Sequence, residues 1–173
     1  NYNNTLLAIS EIERLDGPSL KLILEKSAIK QEQNNNDEAI KYLYEAYELD
    51  SSNIEVIKRL VSIYLENENF IDAEIINNTL LQNFPDDPSG FINASIISLN
   101  NSNPQKAIDY LKPNIEKFEN NYSAQYILGT SYYQINDLDN SEIHLIKALS
   151  IFPGSRSSKH TLAMIYDQNG LWI

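Results

Sequence analysis

His144 and His160 are the only histidines in this chain of 173 residues, and with no cysteine beside them they are its only borderline metal ligands. An imidazole-bound metal needs companions at matched spacing, such as two histidines one helical turn apart with a carboxylate between them. No HExxH or related spacing occurs, so both histidines are read as structural or surface residues. The missing cysteines exclude disulfides, thiolate nucleophiles and zinc-thiolate sites. Carboxylates do occur in pairs, at Asp86 and Asp87 and at Asp137 and Asp139. General acid-base chemistry uses such pairs when their surroundings push the two pKa values apart. Both pairs fall in polar hinges, where aspartate caps helices and turns and stays solvated. The five glycines form neither GxGxxG nor GxxxxGK, so no standard phosphate cradle is present. No catalytic residue, cofactor or metal is expected.

Charge narrows the partners further. The formal charge is −11, from 24 acids against 13 bases. A nucleic-acid binder needs a Lys or Arg for each phosphate it neutralises, so nucleic acid and an anionic membrane surface are both disfavoured. The imbalance is uneven: residues 1–121 hold 20 acids and 10 bases, whereas residues 122–173 hold 4 and 3. No apolar run reaches the roughly 18 residues of a membrane span. The absence of cysteine fits cytoplasmic and extracytoplasmic compartments equally. Because the chain opens on Asn1 with neither Met nor a signal pattern, it is read as a piece of a longer protein.

The elements that would position any site repeat along the chain. Small residues Ala39, Ala73, Ala107 and Ser141 recur every 34 residues, each after a polar hinge: QNNNDEA, ENFIDA, SNPQKA and NDLDNS. Leu60, Leu128 and Leu162 share one column with Ala94, Tyr64, Tyr132 and Tyr166 another, and Pro85 and Pro153 a third. Apolar residues on either side of each hinge recur at three- to four-residue spacing, which predicts two short amphipathic helices per period. Such a pair leaves one side apolar until the next pair covers it. Without gaps, full units begin at Leu20, Ile54, Pro88 and Tyr122 and span 20–53, 54–87, 88–121 and 122–155. Residues 1–19 read as the second helix of a preceding unit, with Leu6, Ile9 and Ile12 at helical spacing. Residues 156–173 read as the first helix of a further one.

Leu128, Gly129, Tyr132, Ser141, Leu145, Ala148 and Pro153 resemble the signature of the tetratricopeptide repeat, although Gln125 replaces its usual first aromatic. The resemblance covers nearly the whole chain. It implies an all-α fold, a right-handed superhelix of antiparallel helix pairs, with the first helices on the concave side. Two positions break the pattern. Lys26 and Lys30 stand where other units have Leu and Tyr, so the core face of that helix is expected to rotate toward Leu24, Ala28 and Ile29. Pro113 falls inside an expected second helix, where it removes a hydrogen bond and costs roughly 3 kcal/mol, so a kink or split is predicted near Lys112. Pro88 and Pro104 each follow a capping residue and suit a helix start.

If the core stripe is Leu128, Gly129 and Tyr132, a step of about 100° per residue puts Tyr126, Thr130 and Tyr133 on the opposite, concave face. The same phase selects Ile92, Asn93, Ile96 and Leu99 one unit earlier, His160 and Met164 one unit later, and Lys58 and Arg59 toward the front. These are the candidate groove residues. Contiguous apolar surface of this kind marks a binding site, unless tight curvature buries it against itself or against an adjoining segment of the parent protein. One subgroup of the family grips a carboxylate tail with Lys, Asn, Asn, Lys and Arg. This chain matches at Lys58 and Asn93 but has Ser62, Ser123 and Ile127 at the other places, so that clamp is not expected. The leading expectation is a non-catalytic scaffold holding a peptide or helix of a protein partner. The alternatives are an accessory module of a larger enzyme, sensor or secretion protein, and self-association through Leu171, Trp172 and Ile173.

Overall fold

Capping residues recur at one phase. Ser19, Asn53, Asp87 and Asn121 each place a side-chain oxygen on a free N–H of the following turn: Leu22 at 3.4 Å, Glu55 and Val56 at 3.1 and 3.3 Å, Ser89 at 2.9 Å, and Ala124 at 3.0 Å. Ser155 does the same for Ser158 at 3.1 Å. The computed structural model describes residues 2–168 and Gly170. The described residues form ten α-helices and no strand. In chain order they are α1 Tyr2–Asp16, α2 Leu20–Glu32, α3 Asn36–Leu49, α4 Ile54–Glu66, α5 Phe70–Asn83, α6 Pro88–Asn100, α7 Pro104–Leu111, α8 Tyr122–Gln134, α9 Leu138–Ile151 and α10 Arg156–Gln168.

The polar hinges have one construction. Asn34, Glu68, Ser102 and Asn136 adopt left-handed backbone with φ of 56°, 56°, 56° and 61°. Each lets the next N–H reach back to a carbonyl five residues earlier: Asn35 to Lys30 at 2.9 Å, Asn69 to Tyr64 at 2.8 Å, Asn103 to Ser98 at 2.9 Å and Asp137 to Tyr132 at 2.9 Å. That bond closes the first helix. The same Asn or Asp then accepts from the first turn of the second helix, on Glu38, Asp72, Lys106 and Asn140. One residue thus serves both helices, its backbone N–H closing the first and its side-chain oxygen capping the second, which is why the hinges are so rich in Asn and Asp.

Helices cross closely where the small residues recur. Ser27 Oγ donates to the Ala39 carbonyl at 3.1 Å, and Ser95 Oγ to that of Ala107 at 3.1 Å. In α8 and α9 the roles reverse, and Ser141 Oγ donates to the Gly129 carbonyl at 2.7 Å. Each hydroxyl is buried and satisfied by the opposing backbone, so the crossing holds no orphaned polar group. Gly129 takes the approach furthest, because a Cβ there would lie 2.6 Å from Leu145 Cγ.

The chain divides into two compact units, Asn1–Phe84 and Pro85–Ile173. In the first, α2 packs on α3 and α4 on α5, with α1 against α2. Its core includes Ile23, Leu43, Ile57, Leu60, Ile63 and Leu80. The face of α2 does not rotate as expected. Ile23 and Ser27 are its buried residues, while Leu24, Ala28 and Ile29 are only partly covered. The lysines fit because their stems lie along the interior while their ammonium groups find carboxylates. Lys26 pairs with Glu13 of α1 and lies 5.4 Å over the Tyr42 ring, and Lys30 pairs with Glu38. Along α1, Ile9 is buried and Ile12 is exposed.

In the second unit α6 packs on α7 and α8 on α9, and the first helices α6, α8 and α10 lie in contact in series. Proline ends α7 at Leu111, and Lys112–Asn114 forms a single 3-10 turn. Leu171, Trp172 and Ile173, the expected self-association segment, lie outside the described residues. Among the described residues no helix is long and apolar enough to cross a membrane.

Candidate functional site

Every first helix has a face turned from its own second helix, and in the second unit three of them adjoin. On α6, Ile92, Ile96 and Leu99 are half-buried and pack against the cluster of Ile108, Leu111, Phe118, Ala124, Ile127, Leu128 and Tyr132. On α8, Tyr126 and Tyr133 are half-buried against Leu145, Leu162 and Ile165. Each of the five therefore anchors its helix to the next and still shows part of its surface to water. Polar atoms between them are organised. Thr130 Oγ1 lies 3.1 Å from the Tyr126 carbonyl and 3.0 Å from that of Ile127. Gln168 donates to the Tyr133 hydroxyl at 3.0 Å, and Tyr126 stacks on Tyr122 with centroids 5.8 Å apart. Asn93 is half-buried and engaged. On α10, His160 is exposed and Met164 is 39% exposed, whereas Thr161 beside His160 is buried.

Lys58 and Arg59 belong to the other unit, on α4. Arg59 Nε bonds Glu55 Oε1 at 2.7 Å one turn away, and Lys58 is also engaged. Both are half-buried. A carboxylate arriving at Arg59 would have to compete with Glu55, and an exposed pair of this kind is worth only about 0.3–0.5 kcal/mol.

A polar network that no sequence motif marks joins α8 to α9. Gln125 is buried; its Nε2 donates to the Glu119 carbonyl at 3.1 Å, which turns Oε1 toward His144 Nδ1 at 2.8 Å. The amide orientation makes Nδ1 the donor and leaves Nε2 as the acceptor of a neutral ring. That ring stacks on Tyr132, with centroids 5.6 Å apart and planes at 4°. Burial, helped by the nearby Lys112 charge, holds the His144 pKa below its ordinary 6.5. The signal was the absent aromatic at Gln125, whose amide takes a histidine as its partner instead of a ring. Among the described residues no group of three His, Asp or Glu side chains is placed to hold a metal ion.

A depressed histidine pKa has a definite sign. The unfolded chain takes up the proton first, so the stability contributed by neutral His144 is present above pH 6.5 and is lost as pH falls from there through the folded value. His144→Asn keeps a donor near Nδ1 but cannot titrate. The loss of melting temperature between about pH 7.5 and 5.5 is expected to be smaller in this variant than in the parent chain, as measured by circular dichroism. Equal losses would mean that His144 does not titrate in this window.

Two sequence profiles of one family, the tetratricopeptide repeat, match residues 31–90 and 122–155, which together make up more than half of the chain. The chain belongs to the tetratricopeptide-repeat family. Solved structures agree on the all-α superhelix of helix pairs. A tetratricopeptide-repeat protein from Parabacteroides merdae ATCC 43184 superposes with a TM-score of 0.80 at 18% identity, over 96% of this chain and 66% of that one. YrrB, described as a TPR protein with an unusual peptide-binding site, gives 0.71 at 17% identity over 95% and 84%. The APC/C hetero-tetramer Cut9-Hcn1 gives 0.78 at 16% over 98% and 35%. At these identities the likeness is one of fold. No curated protein matches in sequence.

Proposed function

We propose that this TPR chain is a non-catalytic scaffold that receives a peptide or helix of a partner protein on the inner face of its second unit. The observation that carries the reading is the series Ile92, Ile96, Leu99, Tyr126 and Tyr133. These are large apolar or aromatic side chains held at half-burial on adjoining first helices, with the flexible Met164 exposed beside them. Half-burial fixes their rotamers before a partner arrives, so less entropy is lost on binding. Tyrosine adds a polar tip to a rigid apolar body, and Thr130 and Asn93 offer hydrogen bonds for orientation. The groups that could do chemistry have other duties: Asp87 and Asp137 cap helices, and His144 is stacked and bonded. The peptide-binding description of YrrB and the hetero-tetramer of Cut9 and Hcn1 are in keeping with an interaction module. Lys58 and Arg59 would serve a partner carboxylate in the first unit as a lesser contact.

The test is a double replacement, Tyr126→Ala with Tyr133→Ala. Capture of partners from the native extract, followed by mass spectrometry, is expected to fall at least tenfold while helical content stays within a few per cent, since two interface tyrosines carry roughly 1–2 kcal/mol each. Undiminished capture by a folded variant would refute the groove.

A further inference from the structure

Pro113 also shapes the surface opposite the first helices. Helix α9 runs for 14 residues after its hinge, but α7 runs for 8. The segment that follows α7 carries Ile115, Glu116 and Glu119 to one wall of a hollow of about 290 Å3; Ile143, His144 and Lys147 of α9, with Gln125, form the rest. A second hollow of about 360 Å3 shares Glu116 and Glu119 and adds Asp86 and Lys117. The first volume is at the small end for ligand sites, which suits one or two side chains of a partner.

The lining is chemically unbalanced. Lys117 is held by Asp86 at 3.0 Å and Lys147 by Glu119 at 2.6 Å, and Lys147 keeps the Glu119 carboxyl below the ordinary range. Both lysines that line the two hollows are thus paired, and of the carboxylates lining them Glu116 is the one that makes no ion pair among the described residues. Ile143 is 62% exposed at the same rim, with Ile146 exposed one turn on. His144 has its donor committed to Gln125. The hollow therefore offers an unpaired anion beside aliphatic surface, while Lys112, the further cation near His144, lies over the Tyr132 ring at 6.0 Å; the net charge of −11 draws basic segments to such a chain.

We infer that this hollow is a second docking site, for an arginine beside an aliphatic residue on a partner protein. The guanidinium pairs with Glu116, and the aliphatic neighbour covers Ile115 and Ile143. Arginine fits better than lysine because its planar fork meets a carboxylate bidentately and its weakly hydrated face lies on apolar surface. The site is separate from the inner face and does not depend on it.

The test is a titration of isotope-labelled protein with acetyl-leucyl-arginine amide, followed by NMR. Saturable shifts are expected at the Ile115 and Ile143 methyls and at His144, with a dissociation constant on the order of 1 mM. Affinity is expected to fall about tenfold in Glu116→Gln, an exposed substitution whose fold is checked by the same spectra. Acetyl-leucyl-glutamate amide is expected to give no shift. The inference is overturned by equal shifts with the glutamate peptide or by unchanged affinity in Glu116→Gln. It is equally overturned by shifts confined to Tyr126 and Tyr133, or by concentration-dependent shifts without peptide, which would assign the hollow to a second copy of the chain.

Discussion

Gly129→Ala is expected to destabilise the protein by about 1–3 kcal/mol, the usual result of overpacking a filled core. The sign is informative, since alanine is the better helix former by roughly 1 kcal/mol and on propensity alone would stabilise α8. A methyl group at position 129 would lie 2.6 Å from Leu145 Cγ, 2.9 Å from its Cδ2 and 3.2 Å from its backbone nitrogen. Leu145 is fully buried and packs with Leu162 and Ile165, so it cannot swing away. Leu145→Ala alone is expected to cost about 2–5 kcal/mol through the cavity it opens. The double variant should lose less than the sum, because the new methyl occupies part of that cavity. Urea unfolding of the four proteins measures all three quantities. A Gly129→Ala chain as stable as the parent would show that the crossing is looser than described.

Glu13→Leu is expected to destabilise the first unit by about 3 kcal/mol, whereas Glu13→Leu with Lys26→Leu is expected to be near neutral or stabilising. The side chains of Lys26 and Glu13 are only 12% and 16% exposed. Removing one partner leaves the other charge poorly solvated; replacing both with leucine returns position 26 to the residue type found at Leu60, Leu128 and Leu162. Shielding from solvent also makes the pair less sensitive to salt than the exposed pair of Arg14 and Glu11. Urea midpoints for Glu13→Leu and for the double variant, each against the parent chain, decide the matter. Equal destabilisation by Glu13→Leu and by the double variant would mean that apolar packing by Glu13, not its charge, holds α1.

Helix positions were legible because local chemistry repeats. A small residue at Ala39, Ala73, Ala107 and Ser141, preceded by Asn and Asp, is a local record of a close crossing and a capped hinge. The structure adds that the residue before each hinge cap is left-handed, which Glu68 and Ser102 do not advertise by type. Lys26 and Lys30 depart from the hydrophobic phase for a different reason. Hydrophobic phase ranks a lysine as surface, but its long stem can lie in the interior when a carboxylate from another helix is within reach. Glu13 and Glu38 become such partners only after folding. Gln125 and His144 were likewise seen singly, because their bond spans two helices and the Glu119 carbonyl orients the amide. Candidate groove residues followed from helical phase alone. Phase cannot say how closely adjoining first helices approach, and that spacing leaves Ile92, Ile96, Leu99, Tyr126 and Tyr133 half-buried while His160 and Met164 are exposed.

The claim that the inner face of the second unit receives a partner is tested most directly by site-specific photo-crosslinking. A benzophenone side chain is placed at Tyr133 in one protein and at Ile75 in another, the latter being 60% exposed on the second helix α5. In the native extract, position 133 is predicted to give a discrete crosslinked partner that position 75 does not. Crosslinking of the same partner from both positions, or from position 75 alone, would contradict the account.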